Sequence, residues 1–288
     1  MKTLRNRLVL ITGAGHGLGL ETARKFAEAG ATVLISDRDP DRVSEAVQDL
    51  AKDGLQAAGF VFDVTDAADV RLARERILRE RGRISVLINN AGIVSGGEFQ
   101  DIPLEKHLTT IDVNSNGPII VTYTFLDDLL SHDESALVNI ASASALIALP
   151  NAASYAASKW AVLGFTDSLR EEMKLRGNRQ LTVTSICPSY ITTGMFHGVK
   201  PPLLAPLLTP EWLAERIVRS VRKKKEQLLA PSLVSLIPLA KATWPRFLFR
   251  RLLTFLGVYQ SMHDWQGHAA VPESPESPGP AEVVRAAS

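Results

Sequence analysis

The 288-residue sequence predicts an α/β chain, with seven parallel strands in a doubly wound sheet built as a single domain. Three observations predict it. Short β-rich apolar runs alternate with helical patterns, the rhythm of βαβ units. The runs are apolar throughout rather than alternating with polar residues, as strands covered on both faces are. A glycine-rich turn separates the first run from the first helical pattern, as after the first strand of a βαβ unit.

The first strand is expected over residues 8–12, and further strands over 32–36, 58–62, 84–88, 137–140 and 181–186, with a short seventh over 227–230. Helical patterns over 18–28, 41–51, 67–79, 104–130 and 154–175 fill the gaps and pack on the two faces through right-handed crossovers. This places the doubly wound α/β domain within residues 1–230. After Pro188 the rhythm breaks into a Pro- and Leu-rich stretch and resumes with a helix over 210–222, so that 189–222 reads as a lid over the site. Residues 231–268 form an apolar extension packing on the substrate site or at an interface. Its first part is interrupted by Pro231 and Pro238 and is too short to span a bilayer. Its second part, 244–258, mixes Trp, Phe and Leu with Arg246, Arg250 and Arg251, as an interfacial helix does, giving peripheral membrane contact as one further expectation. Residues 269–288, rich in Pro, Ser and Glu, are expected to be a disordered tail.

Composition excludes several classes. A formal net charge of +1 offers no field for nucleic acid. Cys187 is the single cysteine, so no intrachain disulfide can form. The N-terminal residues carry no signal-peptide core or membrane span, which makes a cytoplasmic location the expectation. Six scattered histidines without ligand spacing give no expectation of a metal.

The glycine turn reads Thr12-Gly13-Ala14-Gly15-His16-Gly17-Leu18-Gly19. Such a turn lets main chain approach a pyrophosphate, whose charge the following helix N-terminus stabilises. Asp37, at the end of the second strand, stands where a carboxylate accepts hydrogen bonds from an adenosine ribose, and together the two point to a dinucleotide. A carboxylate there repels the 2′-phosphate of NADP, and His16 supplies no fixed cation for it, so NAD is the favoured cofactor. Arg38 argues the other way and keeps NADP as the alternative.

Tyr155 and Lys159 are four residues apart and share one face if residues 154–175 are helical. An ammonium at that distance favours phenolate over phenol and makes Tyr155 a candidate general base. Ser142 and Ser144 follow the fifth strand as candidate donors to a substrate oxygen.

These residues resemble the short-chain dehydrogenases/reductases. The resemblance rests on Thr12, Gly13, Gly17 and Gly19 in the turn, on Asn89-Asn90-Ala91-Gly92 after the fourth strand, on Asp63 before Val64, and on Tyr155-x-x-x-Lys159. It implies a Rossmann fold and a catalytic tetrad of Asn114, Ser142, Tyr155 and Lys159. Ser142, thirteen residues before Tyr155, is preferred to Ser144 on that spacing. Tyr155 would carry the proton, Ser142 would bond the substrate oxygen, Lys159 would lower the tyrosine pKa and hold the nicotinamide ribose, and Asn114 would hold a relay water. Gly15, Leu18, Asp63, Val64, Asn90, Ala91 and Gly92 join the turn as implied cofactor contacts, as do Pro188, Ile191 and Thr193 after the sixth strand. Ser189 stands where the family usually has glycine, which puts the local main-chain path in doubt.

Thr193-Gly194-Met195-Phe196, Phe255-Leu256-Gly257-Val258 and Ser261-Met262 look like the branch of retinol and 17β-type hydroxysteroid dehydrogenases. That implies interconversion of a lipophilic secondary or allylic alcohol and its carbonyl, and the apolar lid and extension agree. An NADP-dependent carbonyl reductase, or a non-catalytic nucleotide-binding or scaffold protein, are the alternatives. The resemblance also implies a homodimer or homotetramer through the helices beginning near Leu104 and Ser154.

Overall fold

The structure is a computed structural model, and it describes Met1, residues 3–203 and residues 205–267. The tail expected over 269–288, like His268 and Leu204, lies outside the described residues.

Strands β1 (Leu8–Thr12), β2 (Thr32–Asp37), β3 (Ala57–Val61), β4 (Val86–Asn89), β5 (Ser135–Ile140), β6 (Leu181–Pro188) and β7 (Gln227–Ala230) form one sheet in the order β3-β2-β1-β4-β5-β6-β7. Every neighbouring pair is parallel. Period-2 alternation divides each central strand between two cores. Val9 and Ile11 of β1, with Val33 and Ile35 of β2, face α1 (Gly17–Glu28), α2 (Pro40–Lys52) and α7 (Pro210–Arg222). Leu10 and Leu34 face α3 (Ala67–Glu80), α5 (Gly117–Leu130) and α6 (Ala153–Leu175). Apolarity on both sides is what the continuous hydrophobic runs required.

Local signals fix several helix starts. The Asp39 side chain accepts from the N–H groups of Asp41 and Arg42, Asp66 caps α3 likewise, and Thr209 caps α7 ahead of Pro210. The helix expected over 104–130 is helical throughout but changes hydrogen-bond register inside it. It is α4 (Leu104–Ile111), a π-helical stretch (Asp112–Asn116) and then α5. The polar run Asp-Val-Asn-Ser-Asn carries no side-chain pattern that marks a change of hydrogen-bond register, and tertiary contacts of Asn114 described below hold it.

α7 was expected to belong to the lid. It packs instead under the sheet: Leu213, Ile217 and Val221 are buried in the β1/β2 core, because its apolar stripe matches that of α1. The covering segment is therefore the stretch between β6 and α7. The extension beyond β7 forms a 3-10 turn (Ser232–Ser235), α8 (Leu236–Thr243) and α9 (Arg246–Phe255). It returns to the covering segment through several bonds: Leu203 N–H to the Leu256 carbonyl, Lys200 N–H to that of Ser261, and the Trp265 indole to that of Met195 at 3.1 Å.

Candidate active site

The C-terminal ends of β1, β2, β4, β5 and β6 open on one cleft of about 390 Å³. Its first wall is the glycine turn. Gly13 has φ +61°, and a Cβ there would stand 2.7 Å from Ala91 Cα; a Cβ on Gly19 would stand 2.3 Å from the Gly13 carbonyl. Only glycine permits this turn to nest against the end of β4. Thr12 fastens it: its hydroxyl accepts from the N–H groups of Asn90 at 3.0 Å and Ala91 at 3.1 Å. Asn90 donates back to the carbonyls of Thr12 and Gly13, both at 3.0 Å.

Most of the expected cofactor contacts line this cleft, namely Gly13, His16, Gly17, Leu18, Gly19, Asp37, Arg38, Asp63, Val64, Asn90, Ala91, Gly92, Pro188, Ile191 and Thr193, with Tyr155, Lys159 and Ser142 at its inner end. Thr193 leans over the turn, its Cβ 3.4 Å from where a Gly17 Cβ would be. Two of the expected residues do not line the cleft. Thr12 is buried and its hydroxyl is taken by Asn90 and Ala91, so it supports the turn without facing the cleft. Gly15 faces α2, where a Cβ would meet Arg42 Cβ at 2.7 Å and Asp37 Oδ2 at 3.1 Å.

Residues that sequence reasoning missed also line the cleft, among them Ser36, Arg42, Phe62 and Ile93. Ser36 and Phe62 flank identified residues and were within reach of the pattern. Arg42 lies on α2, one turn past its cap, and only the tertiary packing brings it to the ribose side, where it also meets Asp39 at 3.4 Å. Asp63 is partly committed: its Oδ1 accepts from the Thr65 N–H at 2.8 Å and hydroxyl at 2.7 Å.

Tyr155 and Lys159 occupy the first two turns of α6, both buried. Lys159 Nζ donates to the Ile140 carbonyl at 3.0 Å and lies 5.7 Å from the Tyr155 ring centroid. Ser142 hydrogen-bonds Tyr155 and accepts from the Ser144 N–H at 3.1 Å. Ser144, the rival candidate, has a buried hydroxyl without a partner among the described residues, and it makes no bond to Tyr155. Burial acts against charge on both members of the helical pair. It pushes the Tyr155 pKa well up, opposed by the Ser142 hydrogen bond, and pulls Lys159 down to about 8. Desolvation therefore acts against the phenolate that the Lys159 ammonium was expected to favour.

Asn114 sits in the π-helical stretch and is wholly buried. Its Oδ1 accepts from the Ile93 N–H at 2.8 Å, and its amide donates to the Ile93 carbonyl at 2.8 Å and to the Ser158 hydroxyl at 3.0 Å. Both N–H donors are used, while Oδ1 keeps a second lone pair and stands 3.2 Å from where a Cβ on the cleft residue Gly92 would be. The Ser158 hydroxyl passes the contact on to the Tyr155 carbonyl at 2.7 Å.

A second cavity, about 320 Å³, adjoins the first and is almost entirely apolar. Ser142, Tyr155, Ser189 and Phe196 border both. The remaining lining comes from Ala143, Ser144, Ile147 and Leu149, from the covering segment, and from the 3-10 turn before α8, α8, α9 and the turn after them. Ser189 keeps the strand path despite replacing glycine, its N–H bonding the Ala230 carbonyl at 2.7 Å, while its hydroxyl is buried and unpartnered among the described residues. Cys187 is buried behind the site, its thiol pushed up to about 12 by desolvation.

A glycine turn at the switch of a doubly wound sheet, with a buried Ser–Tyr pair at the mouth of an apolar pocket, defines a nicotinamide-dependent alcohol oxidoreductase. The model of the family described as short chain dehydrogenase matches residues 7–203, and the chain belongs to that family. It is 31% identical over 264 residues to epidermal retinol dehydrogenase 2 of Homo sapiens, covering 91% of this chain and 85% of the relative. It is also 31% identical over 251 residues to estradiol 17-beta-dehydrogenase 11 of Mus musculus, covering 86% and 83%. Among solved structures, a short chain dehydrogenase/reductase from Burkholderia phymatum in complex with NAD shares the fold, with a TM-score of 0.76 at 23% identity over 84% of this chain and 95% of that one.

Proposed function

We propose that the protein interconverts a lipophilic secondary or allylic alcohol, of steroid, retinoid or long-chain type, and its carbonyl. The observation that carries this reading is the border shared by the two cavities. Ser142 and Tyr155 stand where a polar nucleotide cleft meets an apolar pocket, so a greasy substrate entering that pocket presents its one oxygen to both hydroxyls. The names of the human and mouse relatives support the same substrate class.

The bound nicotinamide would take or give the hydride. Toward the alcohol, the Tyr155 phenol donates its proton to the carbonyl oxygen as charge develops there, and Ser142 donates a second hydrogen bond. Toward the carbonyl, Tyr155 takes the alcohol proton, and the Lys159 ammonium at 5.7 Å offsets part of the charge it then bears. The tight approach of Gly13 and Gly19 lets bare main chain line the cleft, which suits a pyrophosphate.

For the cofactor, NAD is favoured by Asp37, whose carboxylate suits a ribose diol. The presence of both Arg38 and Arg42 in the cleft favours NADP and keeps an NADP-dependent reductase as the second reading. Among the described residues no helix is long and apolar enough to cross a membrane. The exposed Leu108, Tyr123 and Trp160 on α4, α5 and α6 support a homodimer or homotetramer through that face. Initial rates at 340 nm over a panel of steroids, retinoids and long-chain alcohols, with NAD and NADP in parallel, test the reading. Turnover lost in Tyr155→Phe by about 10²–10⁴-fold is the expected result. NADH binding without Tyr155-dependent turnover of any panel member would establish a non-catalytic nucleotide-binding protein instead.

A further inference from the structure

We infer that α8 and α9 form a docking face for an anionic phospholipid bilayer, onto which the apolar pocket opens. Three observations carry this. The first is charge: from Gln227 to His263 the sequence contains no Asp or Glu, while Lys241, Arg246, Arg250 and Arg251 give the segment four cations. An acid-free cationic face is complementary to anionic headgroups and repels a second copy of itself. The second is the outward apolar surface. No residue of α8 and only Leu253 of α9 is buried. Phe247 and Phe255 are 62% and 76% exposed, and they flank Arg250 and Arg251 in one shallow surface depression. Trp244, at the joint between the helices, is also exposed. Large apolar side chains interleaved with arginines are what an interfacial helix presents to the headgroup boundary.

The third observation connects the face to the pocket. Leu203 and Leu236 line the apolar cavity and are nevertheless 58% and 55% exposed, so the wall of the pocket is there also the outer surface. On the opposite side of α9, Phe249, Leu252 and Leu253 line the cavity. One helix thus lies between bilayer and pocket, and a lipophilic molecule dissolved in the acyl region would pass between α8, α9 and the covering segment without crossing water.

This rests on the lipophilic-alcohol reading for the route of entry only, because docking is measured without turnover. Full-length protein is floated with vesicles of phosphatidylcholine alone and with 30% phosphatidylserine (about one lipid in three), and compared with Phe247→Ser/Phe255→Ser and Arg250→Glu/Arg251→Glu; none of these four side chains lines the apolar cavity. Circular dichroism and NADH binding confirm folding. The expected result is flotation with anionic vesicles, weakened by salt and reduced at least about tenfold in both variants. Turnover of a vesicle-dissolved substrate should fall alongside, with a water-soluble carbonyl unaffected. Equal flotation of wild type and variants, or none, overturns the proposal. So does a concentration-dependent dimer that Phe247→Ser/Phe255→Ser abolishes, since a second copy would then own the face. Flotation without turnover of any lipophilic alcohol keeps the docking face and sinks the substrate reading.

Discussion

The Asn114 amide donates to the Ser158 hydroxyl at 3.0 Å, and Ser158 donates in turn to the Tyr155 carbonyl at 2.7 Å. The π-helical stretch is thereby tied to the turn of α6 that presents Tyr155. Removing the Asn114 side chain leaves the Ile93 N–H and carbonyl and the Ser158 hydroxyl short of partners. Asn114→Ala is expected to cost on the order of 2–4 kcal/mol of stability. It should lower kcat more than it raises the NADH dissociation constant, because what moves is Tyr155. Urea unfolding and steady-state kinetics check this; unchanged kcat with normal stability would remove Asn114 from the site's support.

Lys159 gives a pH dependence whose sign is fixed. Its pKa is about 8 in the folded protein and 10.5 for the free side chain, so between these values the unfolded chain holds a proton that the folded one lacks. Stability therefore rises with pH from about 8 to about 10.5, and the cost of burying the ammonium is fully present below 8. Lys159→Met should be the more stable protein at pH 7, by up to on the order of 3 kcal/mol less what the unpaired Ile140 carbonyl costs. The difference should narrow above pH 8, while activity is lost throughout. Thermal unfolding of both proteins from pH 7 to 10.5 reads it.

Asp37 and the arginines make opposite demands on the cofactor. Asp37→Ala should raise KM for NAD at least about tenfold and leave NADP unaffected or improved. Arg42→Ala should weaken NADP only. An NADP preference already present in the wild type, and unchanged by Asp37→Ala, would refute the role given to this carboxylate.

Trp265 packs on Gly96, where a Cβ would lie 2.6 Å from the indole. Gly96→Ala should therefore lever the end of the C-terminal extension off the pocket, at a cost of about 1–3 kcal/mol. The expected signature is a raised KM for lipophilic substrates with cofactor affinity intact, relieved in part by adding Trp265→Ala. Additive losses in the double variant would argue against this contact.

Cys187 is expected to be inert. With its thiol fully buried and pushed up to about 12, the native protein should resist alkylation at neutral pH and react only on unfolding. Mass spectrometry after iodoacetamide treatment is decisive, since the chain has no other cysteine.

Much of the scaffold was legible because strands buried on both faces leave a continuous signature, as at Leu8–Thr12 and Ser135–Ile140. The glycine turn and the Tyr155–Lys159 spacing were legible for a similar reason, since each is set by local geometry. What escaped is set by partners distant in sequence. Thr12 reads as a ligand contact until Asn90 is seen to claim its hydroxyl. Arg42 reads as a surface residue until α2 brings it to the cleft. α7 reads as a lid until its apolar stripe meets α1. The charge state of Tyr155 followed the same pattern, because a four-residue spacing reports the neighbouring ammonium and is silent about burial, which acts against the phenolate.

The π-helical stretch at Asp112–Asn116 has a bearing on how this helix tolerates change. Removing one residue from it would let α4 and α5 join as a regular helix with better main-chain bonding, and would turn Asn114 by about 100° relative to one flank. The shorter chain would gain a straighter helix and lose the anchor of Ile93 and Ser158. The surplus residue is a local imperfection that the helix keeps because the fold spends it on aiming a side chain, so selection for stability alone would erase it.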